Sequence, residues 1–314
     1  ILQMLEQINS SEDLSELTNV LKELESNLNN KIEDNFKTKS EIITETIKEL
    51  CIKGACHLPT DVYNRLLEAI STEDSPVSKH TLEILKENAD IAANNQEPIC
   101  QDTGMACIFV EIGQEVYVEG NLTEAINEGV RQGYTEGYLR KSVVDDPVFD
   151  RINTKDNTPA IIHYDIVPGD KLKITVAPKG FGSENMCQVK MLKPSDGIEG
   201  VKDFILKVVE DAGPNPCPPI VIGVGIGGTF DHVTYLAKKA MIKKIEEHHP
   251  DPRYRALEEE MLEKVNATGI GPAGFGGKTT ALALHVETCP THIAGLPCAV
   301  AICCHVSRHQ EATL

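Results

Sequence analysis

The sequence predicts an α/β protein, in which a helical N-terminal block leads into a mixed-sheet body with helices packed around it. Three observations carry that expectation. Up to about residue 95 apolar side chains recur every three or four positions. Beyond Gln96-Glu-Pro98, short apolar runs alternate with amphipathic ones. With 41% hydrophobic and 25% charged residues over 314 positions, the chain can bury a substantial core and is neither disordered nor fibrous.

The elements follow in order. Residues 1–36 place Leu2, Leu5, Ile8, Leu14, Leu17, Leu21 and Leu24 among Glu and Lys, an amphipathic helical extension set apart from the body at 37–314. The helical part of that body, 37–95, divides into helices near 40–56, 60–71 and 77–94, the last opening at Ser75-Pro76 with Ser75 as N-cap. The α/β part, 96–314, begins with Ala106–Val110 and Val116–Glu119, read as strands joined at Gly113. Asn121 caps a helix running to about Arg140, and Glu124 completes a capping-box pattern. After a polar loop at 145–159, Ala160–Val167 and Lys171–Ala177 read as a hairpin around Pro168-Gly-Asp170. Met186–Leu192 is a strand and Ser195–Asp211 a helix. Pro219–Val224 is a buried strand, followed by a turn at Gly225–Gly228 and a helix from Asp231 to about Glu247. A helix at 253–266 and strands at Ala281–Glu287 and Ala299–His305 complete the body.

Charge narrows the function. Asp plus Glu number 48 against 30 Lys plus Arg, a formal net charge of −18. Such a surface repels nucleic-acid backbones and anionic lipid, and a small dicarboxylate would need its own local cluster of positive groups. There is no apolar run of about 18 residues and no charged-then-apolar leader, so the expected location is the cytoplasm, with neither membrane nor nucleic acid as partner. The 10 cysteines are then reduced thiols rather than a disulfide framework. Cys107, Cys289 and Cys298 sit in apolar, strand-like runs, and Cys51 and Cys56 read as packing residues.

Two glycine motifs compete for attention. Gly223-Val-Gly-Ile-Gly-Gly228 matches G-x-G-x-x-G between a strand and a helix, but no second strand ending in an acidic residue follows about 20 residues on. Close backbone packing, or an anion at the helix N-terminus, are the plainer readings. Gly271-Pro-Ala-Gly-Phe-Gly-Gly-Lys-Thr279 fails the P-loop pattern at Pro272, although Lys278 beside several glycines suits a carboxylate. No C-x-x-C pair marks a zinc ribbon.

Three segments instead place Gly or Pro beside reactive side chains, Pro98-Ile-Cys-Gln-Asp-Thr-Gly104, Pro178-Lys-Gly-Phe-Gly-Ser-Glu-Asn185 and Pro214-Asn-Pro-Cys-Pro-Pro219, and a fourth, Cys304-His-Val-Ser-Arg-His309, stands at the end of an apolar strand. Together with Gly223–Thr229, Gly274–Thr280 and Pro290-Thr-His292, they resemble the iron–sulfur hydro-lyases of the class I fumarase and L-tartrate dehydratase group. The match is to the alpha subunit of the two-subunit enzymes and runs from about residue 40 to the C-terminus.

The resemblance implies that Cys100, Cys217 and Cys304 hold a [4Fe–4S] cluster whose fourth iron stays open as a Lewis acid. It selects Cys304 over the adjacent Cys303. It implies substrate contacts from Gln101 and Gly182, a carboxylate clamp from Arg140, and catalytic roles for Asp102 and His292. Lys278 is an additional substrate-side candidate. The implied reaction is reversible hydration of fumarate to L-malate, with L-tartrate dehydration on the same scaffold as the alternative. The chain ends at Leu314, shortly after the last ligand, where single-chain relatives continue into a further domain. The expectation is therefore a separate beta subunit that supplies the catalytic base, with αβ pairs associating further. Two unrelated readings are a nicotinamide-dependent oxidoreductase built on Gly223–Gly228 and a non-catalytic thiol-rich subunit.

Overall fold

The computed structural model describes residues 21–22 and 40–314. The extension expected at 1–36 thus lies outside the described residues, save for Leu21 and Lys22. The helical block consists of α1 (40–56), α2 (Thr60–Thr72) and α3 (Pro76–Asn95). Ser75 caps α3 by accepting from the Ser78 amide at 3.4 Å. There follow β1 (Met105–Gly113), α4 (Leu122–Glu136), β2 (Ile161–Val167), β3 (Leu172–Lys179) and the single turn α5 (Phe181–Glu184). The second half comprises β4 (Gln188–Leu192), α6 (Gly197–Ala212), β5 (Ile220–Gly227), α7 (Phe230–Met241), α8 (Pro252–Ala267), β6 (Ala281–Cys289), β7 (Leu296–Cys303) and β8 (Gln310–Thr313).

The strands form two mixed four-stranded sheets, in the orders β2-β1-β3-β8 and β4-β7-β5-β6. Five layers result. Helices α1 and α4 cover one face of the first sheet; α7, with α2 and α3, lies between the sheets; α6 and α8 cover the far face of the second. Alternation along β5 explains this order. Ile220, Ile222, Val224 and Ile226 face α6 and α8, whereas Val221, Gly223 and Gly225 face α7. A Cβ on Gly223 would stand 2.1 Å from the Ala237 carbonyl, and one on Gly225 2.2 Å from that of Val233. Small residues on this face therefore let α7 settle against the sheet at close range.

Several expectations change. Val116–Glu119 is not a strand: the amides of Gly113, Gln114 and Glu115 donate to carbonyls in the 167–171 turn, and Val116 folds back on Gly113. β2 and β3 do not pair as a hairpin. β1, apolar on both faces, inserts between them, parallel to β2 and antiparallel to β3. Two strand spacings, about 10 Å, are then spanned by residues 168–171. α7 ends at Met241 rather than Glu247, because the chain turns in to bury Ile245, whose amide donates to Asp61 at 2.8 Å. The helix capped by Asn121 ends at Glu136, which leaves Arg140 on a loop. Strand β8 was not foreseen; it returns the C-terminus to β3.

Candidate active site

Three loops meet beside the N-terminal end of β5. The first holds Cys100 and is fastened to the helical block: Ile99 donates its amide to Ala55 at 2.9 Å and accepts from the Asn88 side chain at 2.8 Å. The second holds Cys217, whose φ of 53° is left-handed and strained for a side chain with a Cβ. The third leaves β7 at Cys304. It joins the second directly, because His305 donates to the Cys217 carbonyl from its amide at 3.2 Å and from Nδ1 at 3.0 Å. Cys100 and Cys304 pack on the same small apolar cluster of Ala92, Ile99 and Val306. Burial and the neighbouring Cys100 both raise the Cys217 thiol above its ordinary range. The three thiols that lie 117 and 87 residues apart in sequence thus share one neighbourhood.

Among the described residues no three His, Cys, Asp or Glu side chains converge on a point as the ligands of a single ion do. Thiolates that hold different corners of a cubane have no need to. Cys303 faces the α7 layer with Ala299 and Ala301, as the alternation of β7 requires. A hydrogen bond from Cys304, together with the charges of Lys179 and Arg308, favours ionisation of Cys303, which in turn raises Cys304.

Beside the thiols, Asp102 and Arg140 line a cavity of about 430 Å³. Both carboxylate oxygens of Asp102 are held by backbone amides, Oδ1 by Gly104 at 3.0 Å and Oδ2 by Phe181 at 2.9 Å. Gly104, at φ 78°, runs so close to the Lys179 backbone that a Cβ would lie 2.7 Å from its carbonyl carbon. The Arg140 carbonyl accepts from Thr103 Oγ1 at 2.9 Å. The fully buried Asn157 donates to the Gly104 carbonyl at 3.1 Å and accepts from the Ser142 amide at 2.7 Å. The guanidinium of Arg140 itself is exposed and available. Arg151 lines the same cavity, a second cation that the sequence reading missed because it lies in an undistinguished polar loop. Gln101 is exposed immediately before Asp102. Gly182 is also exposed, and a Cβ there would meet only the Asn215 carbonyl, at an ordinary 3.7 Å. The fold itself does not demand glycine at this position.

Two buried cations flank the thiols, and the sequence pointed to neither. Lys179 donates to Ser183 Oγ at 2.7 Å and pairs with Glu184 at 3.2 Å, and Glu184 also pairs with Lys238. Arg308, 4% exposed, donates from Nη2 to the Asp102 carbonyl, while its Nε and Nη1 have no partner. A guanidinium does not deprotonate in a protein, so burial leaves its charge in need of an anion. Three soft thiols and an uncompensated buried cation fit an anionic iron–sulfur group. Arg308 stood in a quoted motif, but only its burial gives it meaning.

Two expected site residues are elsewhere engaged or elsewhere placed. Lys278 lies near the cysteine loops, since Ala273 donates to the Pro218 carbonyl at 2.7 Å, but its ammonium pairs with Asp74 and its amide with Glu73. His292 is exposed, four residues before β7 begins, whereas Cys304 follows the end of β7. The strand alone separates them by roughly 24 Å, so one chain does not bring His292 to its own thiols. The G-x-G-x-x-G motif is also explained: Gly223 and Gly225 lie inside β5 and admit α7. Glycines within the strand, rather than in the turn after it, do not suit a dinucleotide loop.

The family model described as fumarate hydratase (fumerase) matches residues 44–313. A Methanocaldococcus jannaschii protein provisionally named L(+)-tartrate dehydratase subunit alpha is 44% identical over 271 residues, 85% of this chain and 95% of that protein. The L(+)-tartrate dehydratase subunit alpha of Escherichia coli is 30% identical over 286 residues, 90% of this chain and 93% of its own length. The match spans every loop that shapes the cysteine neighbourhood and the adjoining cavity, and the chain belongs to the fumarate hydratase (fumerase) family.

Proposed function

We propose that the chain is the alpha subunit of an iron–sulfur hydro-lyase that reversibly hydrates fumarate to L-malate. One observation carries the reading: Cys100, Cys217 and Cys304, from three distant loops, share one neighbourhood, and Asp102, two residues after Cys100, lines a cavity together with two arginines. Cys100, Cys217 and Cys304 would hold a [4Fe–4S] cluster, which when bound supplies a Lewis-acidic iron for the hydroxyl and carboxylate of the substrate.

The chain's own residues do the rest. Arg140, joined by Arg151, binds a substrate carboxylate and offsets the acidic field of the protein locally. Asp102, oriented by two backbone amides, presents a fixed carboxylate to the substrate hydroxyl or the water that becomes it. Gln101 adds a neutral hydrogen-bonding group, and the open space over Gly182 lets substrate approach the backbone. Lys278 keeps no substrate role in this reading, because Asp74 holds it. His292 enters only through association of αβ pairs, by which a second copy would bring it near. With Asp102 engaged at the hydroxyl, the proton on the neighbouring carbon needs a second base, and the beta subunit is its proposed source.

The names of both relatives favour a second substrate, L-tartrate, which differs from malate by one hydroxyl. Anaerobic reconstitution with iron and sulfide, followed by assay with and without a beta partner, tests the reading. The expected result is four iron atoms per chain, turnover only with the partner, and higher kcat/KM for malate than for tartrate. Full turnover by the isolated chain would exclude the two-subunit site, and the reverse preference would select tartrate.

A further inference from the structure

Resting on the iron–sulfur reading, we propose that Arg308 is the counter-ion and hydrogen-bond donor for the cluster, and that it couples the cluster to Asp102. The site contains a cation without an anion. Arg308 is 4% exposed, and no carboxylate reaches it among the described residues. Of its donor atoms, Nη2 is used on the Asp102 carbonyl and two are orphaned. Natural proteins rarely leave such groups unsatisfied, and each exception calls for an explanation such as an absent ion. The missing partner must be anionic, rich in acceptors and adjacent to the thiols.

A cubane held by three thiolates has those properties, and its sulfur atoms accept hydrogen bonds. Arg308 follows Cys304 by four residues, and Val306 between them packs in one apolar cluster with Cys100 and Cys304. Through Nη2 it grips the residue two positions after Cys100. One side chain thereby ties the first and third cysteine loops together and aligns Asp102 beside the group it serves. Lys179 does not duplicate this role, because Ser183 and Glu184 already occupy its ammonium.

The test compares Arg308→Met and Arg308→Lys with the wild-type chain, each as apoprotein and after anaerobic cluster loading. In the apoprotein, Arg308→Met removes an uncompensated buried charge, so it should melt at or above the wild-type temperature. Loading should raise the melting temperature of wild type more than that of Arg308→Met. In the loaded proteins, loss of the positive charge disfavours the added electron, so the midpoint potential of Arg308→Met should fall and its cluster should lose iron faster under mild oxidation. Arg308→Lys, which keeps charge but not the planar donors, should lie between. Equal loading shifts with an unchanged potential would overturn the proposal, as would an Arg308→Met apoprotein that melts clearly below wild type or fails to fold. A wild-type chain that takes up no iron and sulfide would instead sink the iron–sulfur reading, which separates the two failures.

Discussion

The two ends of the second sheet are built on opposite principles. At the N-terminal end of β5, segments from across the chain are laced together: the Cys217 carbonyl takes two hydrogen bonds from His305, Pro218 takes one from Ala273, and Ile99 is anchored to α1 and α3. At the other end the loop carrying His292 meets a single distant segment, Gly228, which bonds to Pro290 and Thr291, and otherwise closes on itself through Ala294 to His292. The first arrangement would hold the side chains of the proposed site in place, whereas the second leaves an exposed surface. Both ends carry cysteine and histidine, so residue type alone does not distinguish a site from its mirror position; the number of distant segments fastened together does.

The largest expected effect tests that contrast. Cys217→Ser should abolish stable cluster binding and lower turnover by about 10³-fold or more, since the Lewis acid goes with it. Cys289→Ser, at the opposite end of the sheet, should leave both unchanged. Iron and sulfide analysis alongside the assay with beta partner reads the difference; equal losses for the two variants would dissolve the distinction between the ends.

A second contrast concerns titration rather than chemistry. His285 on β6 is 1% exposed, and burial lowers its pKa to about 4. The folded state therefore keeps it neutral while the unfolded chain, near 6.5, takes up a proton. Between those values the unfolded state binds more protons, so stability falls as pH drops from about 6.5 to 4, by about 3 kcal/mol in total. Urea unfolding of the apoprotein across this range should show the loss, and His285→Phe should flatten it.

Much of this was legible in sequence, for reasons that differ by residue. The Cys100 and Cys217 loops stood out because Pro or Gly breaks each of them beside a thiol, Cys304 because it ends an apolar run, and helices α1 to α3 because their apolar spacing is local. Arg151, Lys179 and Arg308 were not legible, for reasons local pattern does not encode: Arg151 shares its cavity with Asp102 from 49 positions away, Lys179 matters through its burial, and Arg308 meets Asp102 across 206 positions. The β2-β1-β3 order was hidden for a like reason. Two strands with a short link suggest a hairpin, and only the two-sided apolar character of β1 argues for insertion between them. His292 misled because its motif says nothing of the direction in which β7 carries the chain.

Glycines sharpen the same lesson, with a smaller effect. Gly225→Ala would drive a Cβ to 2.2 Å from the Val233 carbonyl, forcing α7 off the sheet at about 2 kcal/mol or more. Gly182→Ala meets nothing closer than 3.7 Å, so the melting temperature should hold while KM for the dicarboxylate rises. A fall in stability at Gly182 would show that the fold, rather than the substrate, selects glycine there.

Lys278→Ala should have the least effect of all. The exposed pair with Asp74 is a solvent-screened contact between loops, and such pairs contribute little to stability. Its amide bond to Glu73, which positions the 276–279 segment, survives the substitution because it is made by the backbone. Activity and melting temperature should both remain within measurement error of wild type, while Arg140→Ala, on a guanidinium that faces the cavity, should raise KM by about tenfold to a hundredfold. If instead Lys278→Ala raised KM as much as Arg140→Ala does, the Asp74 pair would have to open on substrate binding, and the boundary between the fastened end of the sheet and the substrate cavity would move to include the 271–279 loop.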